Sequence, residues 1–115
     1  MTSSEKLKVD EKLLGKVNRP VDMVEYQDGS VVSRTIIDQK SGTVTLFAFG
    51  EGQSLSEHTA PFNALVYVLD GKVRTTINGK PFDLNSGDAI ILPANQPHAL
   101  QALGRFKMVL TMIRA

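Results

Sequence analysis

Residues 64–84 read ALVYVLDGKVRTTINGKPFDL, and this stretch decides the fold class. Its three β-rich runs are separated by two turn signals, Asp70-Gly71 and Asn78-Gly79. Asn-Gly between two such runs is a strong hairpin signal, because both central residues of a type I′ turn need a positive φ. The stretch therefore predicts an antiparallel sheet with a hairpin centred on Asn78-Gly79.

The same rhythm continues on both sides of this stretch. Upstream lie VDMVEY, SVVSRTII and TVTLFAF, and downstream lie AIIL and FKMVLTMIR, each bounded by Gly, Pro, Asp, Asn or Ser. Strands at roughly ten-residue spacing leave no room for crossover helices, so the pattern predicts an all-β sandwich or barrel. We expect one barrel domain over residues 21–115. Residues 1–20 form an N-terminal segment that is irregular, a short helix or an edge strand.

Composition excludes several classes of function. The 115 residues include 13 basic and 12 acidic side chains, a net charge of +1, and no cysteine. Such a balanced charge lacks the field used for non-specific binding to nucleic acid or a membrane surface. The absence of cysteine removes thiolate chemistry and fits a reducing compartment. Since no apolar leader or long apolar run is present, we expect a cytoplasmic protein without nucleic-acid or membrane partners.

Two of the runs predict a covered outer surface. The runs at 44–49 and 64–69 are largely apolar at both odd and even positions. A strand with one solvent-exposed face alternates between apolar and polar side chains. These strands do not alternate, so they are expected to be covered on both faces. A second subunit is the cover that we expect, which predicts a homodimer. The alternative is that the N-terminal segment folds over this face.

A second pattern is the spacing of glycine and histidine around the central stretch. Gly52, His58, Ala60, Ala64 and Gly71 follow one another at fixed intervals. This spacing resembles the first motif of the cupin superfamily, in which glycine, His-x-His, glutamate and glycine occupy these places. Two of the three metal-ligand positions of that motif are alanine in this chain.

The second cupin motif has a counterpart that begins at Gly87, with fifteen residues between Gly71 and Gly87. Pro93, Asn95, His98 and Ala102 continue it, with Asn95 in place of a glycine and Ala102 in place of an asparagine. Asparagine tolerates the positive φ of a tight turn, so the turn is expected to survive. The resemblance implies a double-stranded β-helix, the RmlC-like jelly-roll barrel, with His58 and His98 pointing inward from facing hairpins.

The resemblance also implies a reduced metal site at His58 and His98. First-row metals usually take at least three protein ligands, and this chain offers two. Glu57 is a poor replacement because neighbouring residues on a strand point to opposite faces. Water or an amide, from Gln53, Asn63 or Gln96, is needed to complete a weakly held Ni, Zn, Fe or Cu ion.

Small side chains at Ala60 and Ala64 are expected to leave volume inside the barrel unless aromatic or methionine side chains fill it. The predicted ligand-binding residues are His58, His98, Ala60, Ala64, Phe47, Phe49 and Met108. They predict a small-molecule-binding barrel, with His58 and His98 as the polar contacts. Two alternatives remain open: a metal-dependent cupin enzyme, an oxygenase or isomerase whose metal site is completed by water or an amide, and a metal-free interaction or sensor module.

Overall fold

The computed structural model describes residues 7–114, which fold into two antiparallel sheets. None of the helical turns in this range has the length or apolar character to cross a membrane. The strands, in chain order, are β1 (Leu7–Val9), β2 (Val31–Gln39), β3 (Gly42–Phe49), β4 (Ser54–His58), β5 (Ala64–Asp70), β6 (Lys72–Ile77), β7 (Lys80–Asn85), β8 (Ala89–Leu92), β9 (His98–Ala102) and β10 (Phe106–Ile113).

The two sheets are built largely from strands that are distant in sequence. One sheet has six strands in the order β1-β2-β3-β10-β5-β8, and the other has four in the order β4-β9-β6-β7. Consecutive strands β5 and β6 therefore lie in different sheets, as in a jelly-roll. The all-β jelly-roll prediction is confirmed. The N-terminal segment contains both an edge strand, β1, and a 3₁₀ turn at Glu11–Leu13.

The hairpin between β6 and β7 is the one that the sequence predicts. Ile77 pairs with Lys80 across a two-residue turn. Asn78 and Gly79 have φ values of 51° and 80°, so both central residues occupy the left-handed region that a type I′ turn requires. The register of the four-stranded sheet is thereby fixed next to His98, which pairs with Ile77.

The core lies between the two sheets and follows the period-two pattern of β5. Ala64, Val66 and Val68 are buried, whereas Leu65 and Tyr67 point outward and are exposed. Phe49 and Phe106 stack with their ring centroids 4.5 Å apart inside this core. The remaining buried members of the cluster are Val73, Leu84, Leu92, Leu100, Ala102 and Met108.

The run VDMVEY, predicted as a strand, forms instead a short 3₁₀ turn (Pro20–Asp22) followed by bends. Its carbonyl groups find partners in side chains rather than in a neighbouring strand. Lys107 Nζ donates to the Val21 carbonyl at 2.6 Å, and Arg34 Nη1 donates to the Met23 carbonyl at 3.2 Å. Because these donors come from β10 and β2, no local property of the run reveals them.

This turn covers part of the outer face of the six-stranded sheet. Val24 is buried against Leu46 and Ala48 of β3, in a cluster that also includes Met23, Tyr26, Val32, Ile36, Leu69 and Val109. Residues 23–26 thus cover β3, and they lie just after the N-terminal segment (residues 1–20) that the alternative named as the cover. Leu65 and Tyr67 of β5 remain exposed on the same face, so the homodimer stays a prediction.

Tyr26 connects the covering segment, residues 23–26, to the sheet through a hydrogen bond and two cation–π contacts. Its hydroxyl donates to Asp70 Oδ2 at 2.6 Å, and the Arg105 guanidinium lies 4.4 Å and Lys107 Nζ 4.9 Å from its ring centroid. Burial, and then the hydrogen bond to the Asp70 carboxylate, raise the pKa of Tyr26 well above its ordinary value. The neutral phenol is therefore the form that the fold stabilises.

Replacing Tyr26 by phenylalanine is expected to make the free energy of unfolding fall less steeply as pH rises in the alkaline range. A folded-state pKa above the unfolded value of about 10 means that the stabilisation is complete below that pH and is lost as pH rises through the folded value. Urea unfolding between about pH 9 and 11 should show a steeper decline for the wild type than for Tyr26→Phe. Equal slopes would show that Tyr26 ionises as freely in the folded chain as in the unfolded chain.

Thr75 on β6 is a buried polar group whose replacement is expected to stabilise the fold. It is 0% exposed, and its hydroxyl has no hydrogen-bond partner among the described residues. A buried hydroxyl without a partner costs about 1–3 kcal/mol. Thr75→Val keeps the shape of the side chain, so we expect the free energy of unfolding to rise by about 1 kcal/mol in urea titrations. A decrease would indicate that the hydroxyl has a bonding partner in solution.

Candidate functional site

The two histidines predicted from the spacing come together in the structure. His58 ends β4 and His98 begins β9, and the two residues pair across these strands after a register shift that begins at Leu55. Their Nε2 atoms are 3.2 Å apart, and their ring centroids are separated by 4.4 Å with an interplanar angle of 72°. The inward, facing arrangement implied by the two motifs is thus present.

Each ring is held by the carbonyl of the residue two positions before it. His58 Nδ1 lies 3.0 Å from the Ser56 carbonyl oxygen, and His98 Nδ1 lies 3.2 Å from that of Gln96. A carbonyl oxygen only accepts hydrogen bonds, so each of these contacts is a hydrogen bond when the ring carries its proton on Nδ1. When both neutral rings carry the proton on Nδ1, their two Nε2 lone pairs converge; when one ring carries it on Nε2, that Nε2–H donates to the Nε2 of the other ring.

The two rings differ in their exposure to solvent. His98 is 5% exposed, whereas His58 is exposed and lies at the mouth of the site. Burial, and then the neighbouring His58, lower the pKa of His98 below its ordinary value, and the Gln96 carbonyl opposes this in part. The site therefore favours the neutral form of the inner imidazole.

A cavity of about 50 Å³ adjoins the histidine pair. Ala60 and Ala64 border it, as the sequence predicts for a barrel with small side chains at these positions. Its walls are otherwise apolar, and His58 and His98 supply the polar side-chain atoms. The complete lining is Leu55, His58, Ala60, Phe62, Ala64, Leu92, His98, Leu100, Leu110 and Met112.

Phe47, Phe49 and Met108, which the sequence suggested as ligand contacts, lie outside this lining. Phe49 is stacked on Phe106, and Met108 is 0% exposed in the packed core. Met108 pairs with Phe47 and Phe106 with Phe49, so all three predicted contacts belong to the end of the barrel that side chains fill. They do not line this cavity, and the ligand-binding role predicted for them stays a prediction.

The apolar lining was missed because it depends on the strand register. Met112 of β10 pairs with Ala64 of β5, and Leu110 pairs with Val66. The alternation along β10 indicates that Phe106, Met108, Leu110 and Met112 share one face. It does not indicate which end of that face lies beside Ala64. The pairing of β5 with β10 joins segments about forty residues apart, beyond the reach of local signals.

The side chains considered as further metal ligands are engaged elsewhere. Asn63 Oδ1 accepts a hydrogen bond from the Ala94 amide at 2.8 Å, and Gln96 Oε1 accepts one from Asn78 Nδ2 at 2.7 Å. Neither Gln53 nor Glu57 borders the cavity.

The described residues contain no cluster of three or more His, Cys, Asp or Glu side chains. Two imidazole nitrogens do not fit the three- or four-ligand metal centre that the motifs imply. A weakly held metal at His58 and His98 stays a prediction.

Sequence relatives share the region that holds this site. The family profile described as Cupin domain matches residues 45–114. Polyketide synthase CurC of Streptomyces cyaneus is 24% identical over 76 residues, which cover 65% of this chain and 49% of that protein. The chain thus spans about half the length of this curated relative.

Solved structures extend the likeness to the whole barrel. A conserved protein of unknown function from Streptococcus pyogenes superimposes with a TM-score of 0.84 at 30% identity, covering 88% of this chain and 89% of that chain. A Cupin 2 conserved barrel domain protein from Leptotrichia buccalis is 40% identical with a TM-score of 0.79, covering 81% of this chain and 45% of that chain. The likeness therefore includes strands on both sides of the histidine pair.

Proposed function

This chain belongs to the cupin family, and we propose that it binds a small, partly apolar molecule inside its barrel. The observation that supports this function is the cavity of about 50 Å³ beside His58 and His98. Apolar walls with a few convergent polar groups are typical of small-molecule sites. Here the walls would hold the carbon skeleton, and the two imidazoles would fix its orientation.

The size of the cavity limits the ligand. Ordinary ligand sites enclose roughly 300–1,000 Å³, so a cavity of about 50 Å³ takes only a small molecule or one end of a larger one. Entry from the exposed side of His58 would bring the bound group against Ala64 and Met112. The alternative of a metal-dependent oxygenase or isomerase needs a further ligand that the described side chains do not bring to this cavity.

Phenol titration followed by methyl NMR tests the proposal. Protein labelled at its alanine, leucine and methionine methyl groups should show saturable shifts at Ala64, Leu92 and Met112, which border the cavity. Leu46 and Ala48 serve as internal controls, because they lie in the separate cluster on the outer face. Shifts in the outer cluster alone would place binding outside the barrel, and no saturable shift at millimolar phenol would overturn the proposed function.

A variant whose cavity is filled by a larger side chain serves as the control for the phenol titration. Ala64→Leu adds volume at a position that is 5% exposed and borders the cavity. We expect this variant to remain folded, at an overpacking cost of about 1–3 kcal/mol, and to lose the saturable shifts at Leu92 and Met112. Unchanged phenol binding by the filled barrel would contradict a site inside it.

We also propose that the exposed part of the outer face is a homodimer contact. Leu65 and Ile91 are cross-strand neighbours, and with Tyr67 they leave large apolar side chains 40–62% exposed. Neighbouring exposed apolar side chains of this kind are typical of an interaction surface. Sedimentation should show a dimer that Ile91→Lys dissociates. A wild-type chain that stays monomeric at high micromolar concentration would overturn this contact.

A further inference from the structure

The histidine pair is electrostatically incomplete in its neutral state. When both rings carry their proton on Nδ1, where backbone carbonyl oxygens can accept it, the two Nε2 lone pairs face each other across 3.2 Å. Two lone pairs at this separation repel each other unless a hydrogen atom with partial positive charge is directed at them. A bound group that supplies such a hydrogen would therefore bind with a more favourable free energy here than at a single, solvated imidazole.

The remainder of the cavity selects against charge on that group. No lysine, arginine, aspartate or glutamate borders the cavity formed by the described residues. A carboxylate would bring acceptor oxygens to two acceptor nitrogens, with no cationic side chain in the lining to pair with it.

We propose that the ligand is a neutral hydroxyl compound, an alcohol or a phenol, whose O–H donates to the His58 and His98 Nε2 pair while its carbon skeleton packs against the apolar lining. This inference rests on the proposed function and specifies the chemistry of its ligand. The hydroxyl lies at the histidines, and the apolar end lies near Ala64 and Met112. Isosteric compounds without a donor would fit the same space and leave the lone pairs opposed.

Three probes of similar shape separate the alternatives: phenol, toluene and benzoate. They are titrated into chelator-treated protein near pH 8, where imidazoles are neutral, with the cavity methyl groups as the readout. We expect phenol to bind about tenfold more tightly than toluene, on the scale of a hydrogen bond to a buried acceptor. Benzoate is expected to bind more weakly than phenol.

The variant His58→Leu removes one acceptor at an exposed position, so the fold should tolerate it. We expect the preference for phenol over toluene to become smaller in this variant, because one acceptor, His98 Nε2, remains where the wild type has two. Glu57→Gln is the matched control, since Glu57 is the adjacent exposed residue outside the cavity, and it should keep the wild-type preference.

The outcomes distinguish this inference from the proposed function. Equal affinities for toluene and phenol, or a preference for phenol that His58→Leu leaves unchanged, would overturn the donor inference and leave an apolar binding barrel. Tighter binding of benzoate would also overturn it, in favour of a protonated pair that receives anions. Absence of binding by all three probes would overturn the inference and the proposed function together.

Discussion

Replacement of Gly71 by alanine is expected to lower the free energy of unfolding by at least about 3 kcal/mol. Gly71 connects β5 to β6 with a φ of 81°, in the left-handed region that side chains rarely adopt. A Cβ atom here would clash with the Arg105 carbonyl oxygen and would lie 2.8 Å from the Phe106 Cα. Both contacts are with backbone, which cannot rotate away as a side chain can.

The steric part of this loss can be separated from the backbone strain. Gly87 has a φ of 93°, and a Cβ atom there would meet nothing within 4 Å. Gly87→Ala should therefore cost only the strain of a positive φ, about 1 kcal/mol. Urea unfolding of both variants measures the difference. Equal losses would show that the Gly71 backbone is not held against the start of β10.

The same glycine shows why the fold could be predicted from the sequence. Gly71 and the Asn78-Gly79 pair adopt positive φ values that few residues tolerate, so their identity reports the backbone directly. Asn95, which replaces a motif glycine, also has a positive φ, 66°. Turns of this kind fix where strands end, and the period-two pattern of β5 then indicates which side chains are inside.

The errors arose where distant residues decide the local structure. Residues 21–26 have the composition of a strand, but hydrogen bonds from Lys107 and Arg34 to the carbonyl groups of Val21 and Met23 replace those of a sheet. These partners are separated by up to 86 residues in the chain. Local propensity cannot include such bonds, since the tertiary fold overrides it.

The candidate site was predictable in its polar half and not in its apolar half. His58 and His98 are the two histidines of the chain, and both stand at motif positions, so their meeting followed from spacing. The apolar walls depend on the pairing of Ala64 with Met112, which is a matter of register. The carbonyl groups that face both Nδ1 atoms depend on the backbone path at Ser56 and Gln96, which the sequence does not indicate.

Restoring the missing ligands is expected to convert the cavity into a metal site. Ala60 and Ala64 border the cavity together with His58 and His98, at the positions where the first cupin motif has histidine and glutamate. Ala60→His with Ala64→Glu would bring three imidazoles and one carboxylate to the same space, a set suited to divalent Zn, Ni or Fe. The Ala60 carbonyl accepts a hydrogen bond from the Asn95 amide at 2.7 Å, so the backbone at this position is anchored.

Two opposite effects on stability follow from the burial of the new carboxylate. Ala64 is 5% exposed, so a glutamate there without a metal is a buried charge lacking a partner, and the metal-free double variant should melt below the wild type. Added metal should reverse this loss, because it binds the folded state alone. Losing one outer-shell group costs about 10–100-fold in metal affinity, so gaining two direct ligands should raise Zn affinity by at least about 100-fold over wild type.

Calorimetric titration with Zn and melting curves with and without the ion measure both effects. Ala60→His with Ala64→Gln is the matched control, since glutamine has the shape of glutamate without its charge, and its affinity for Zn should fall between those of the wild type and the double variant. Because His58 and His98 converge whether or not a metal binds, a double variant with wild-type Zn affinity would show that residues 60 and 64 do not share their space. That result would separate the histidine pair from the alanine-lined cavity and contradict the site on which the proposed function depends.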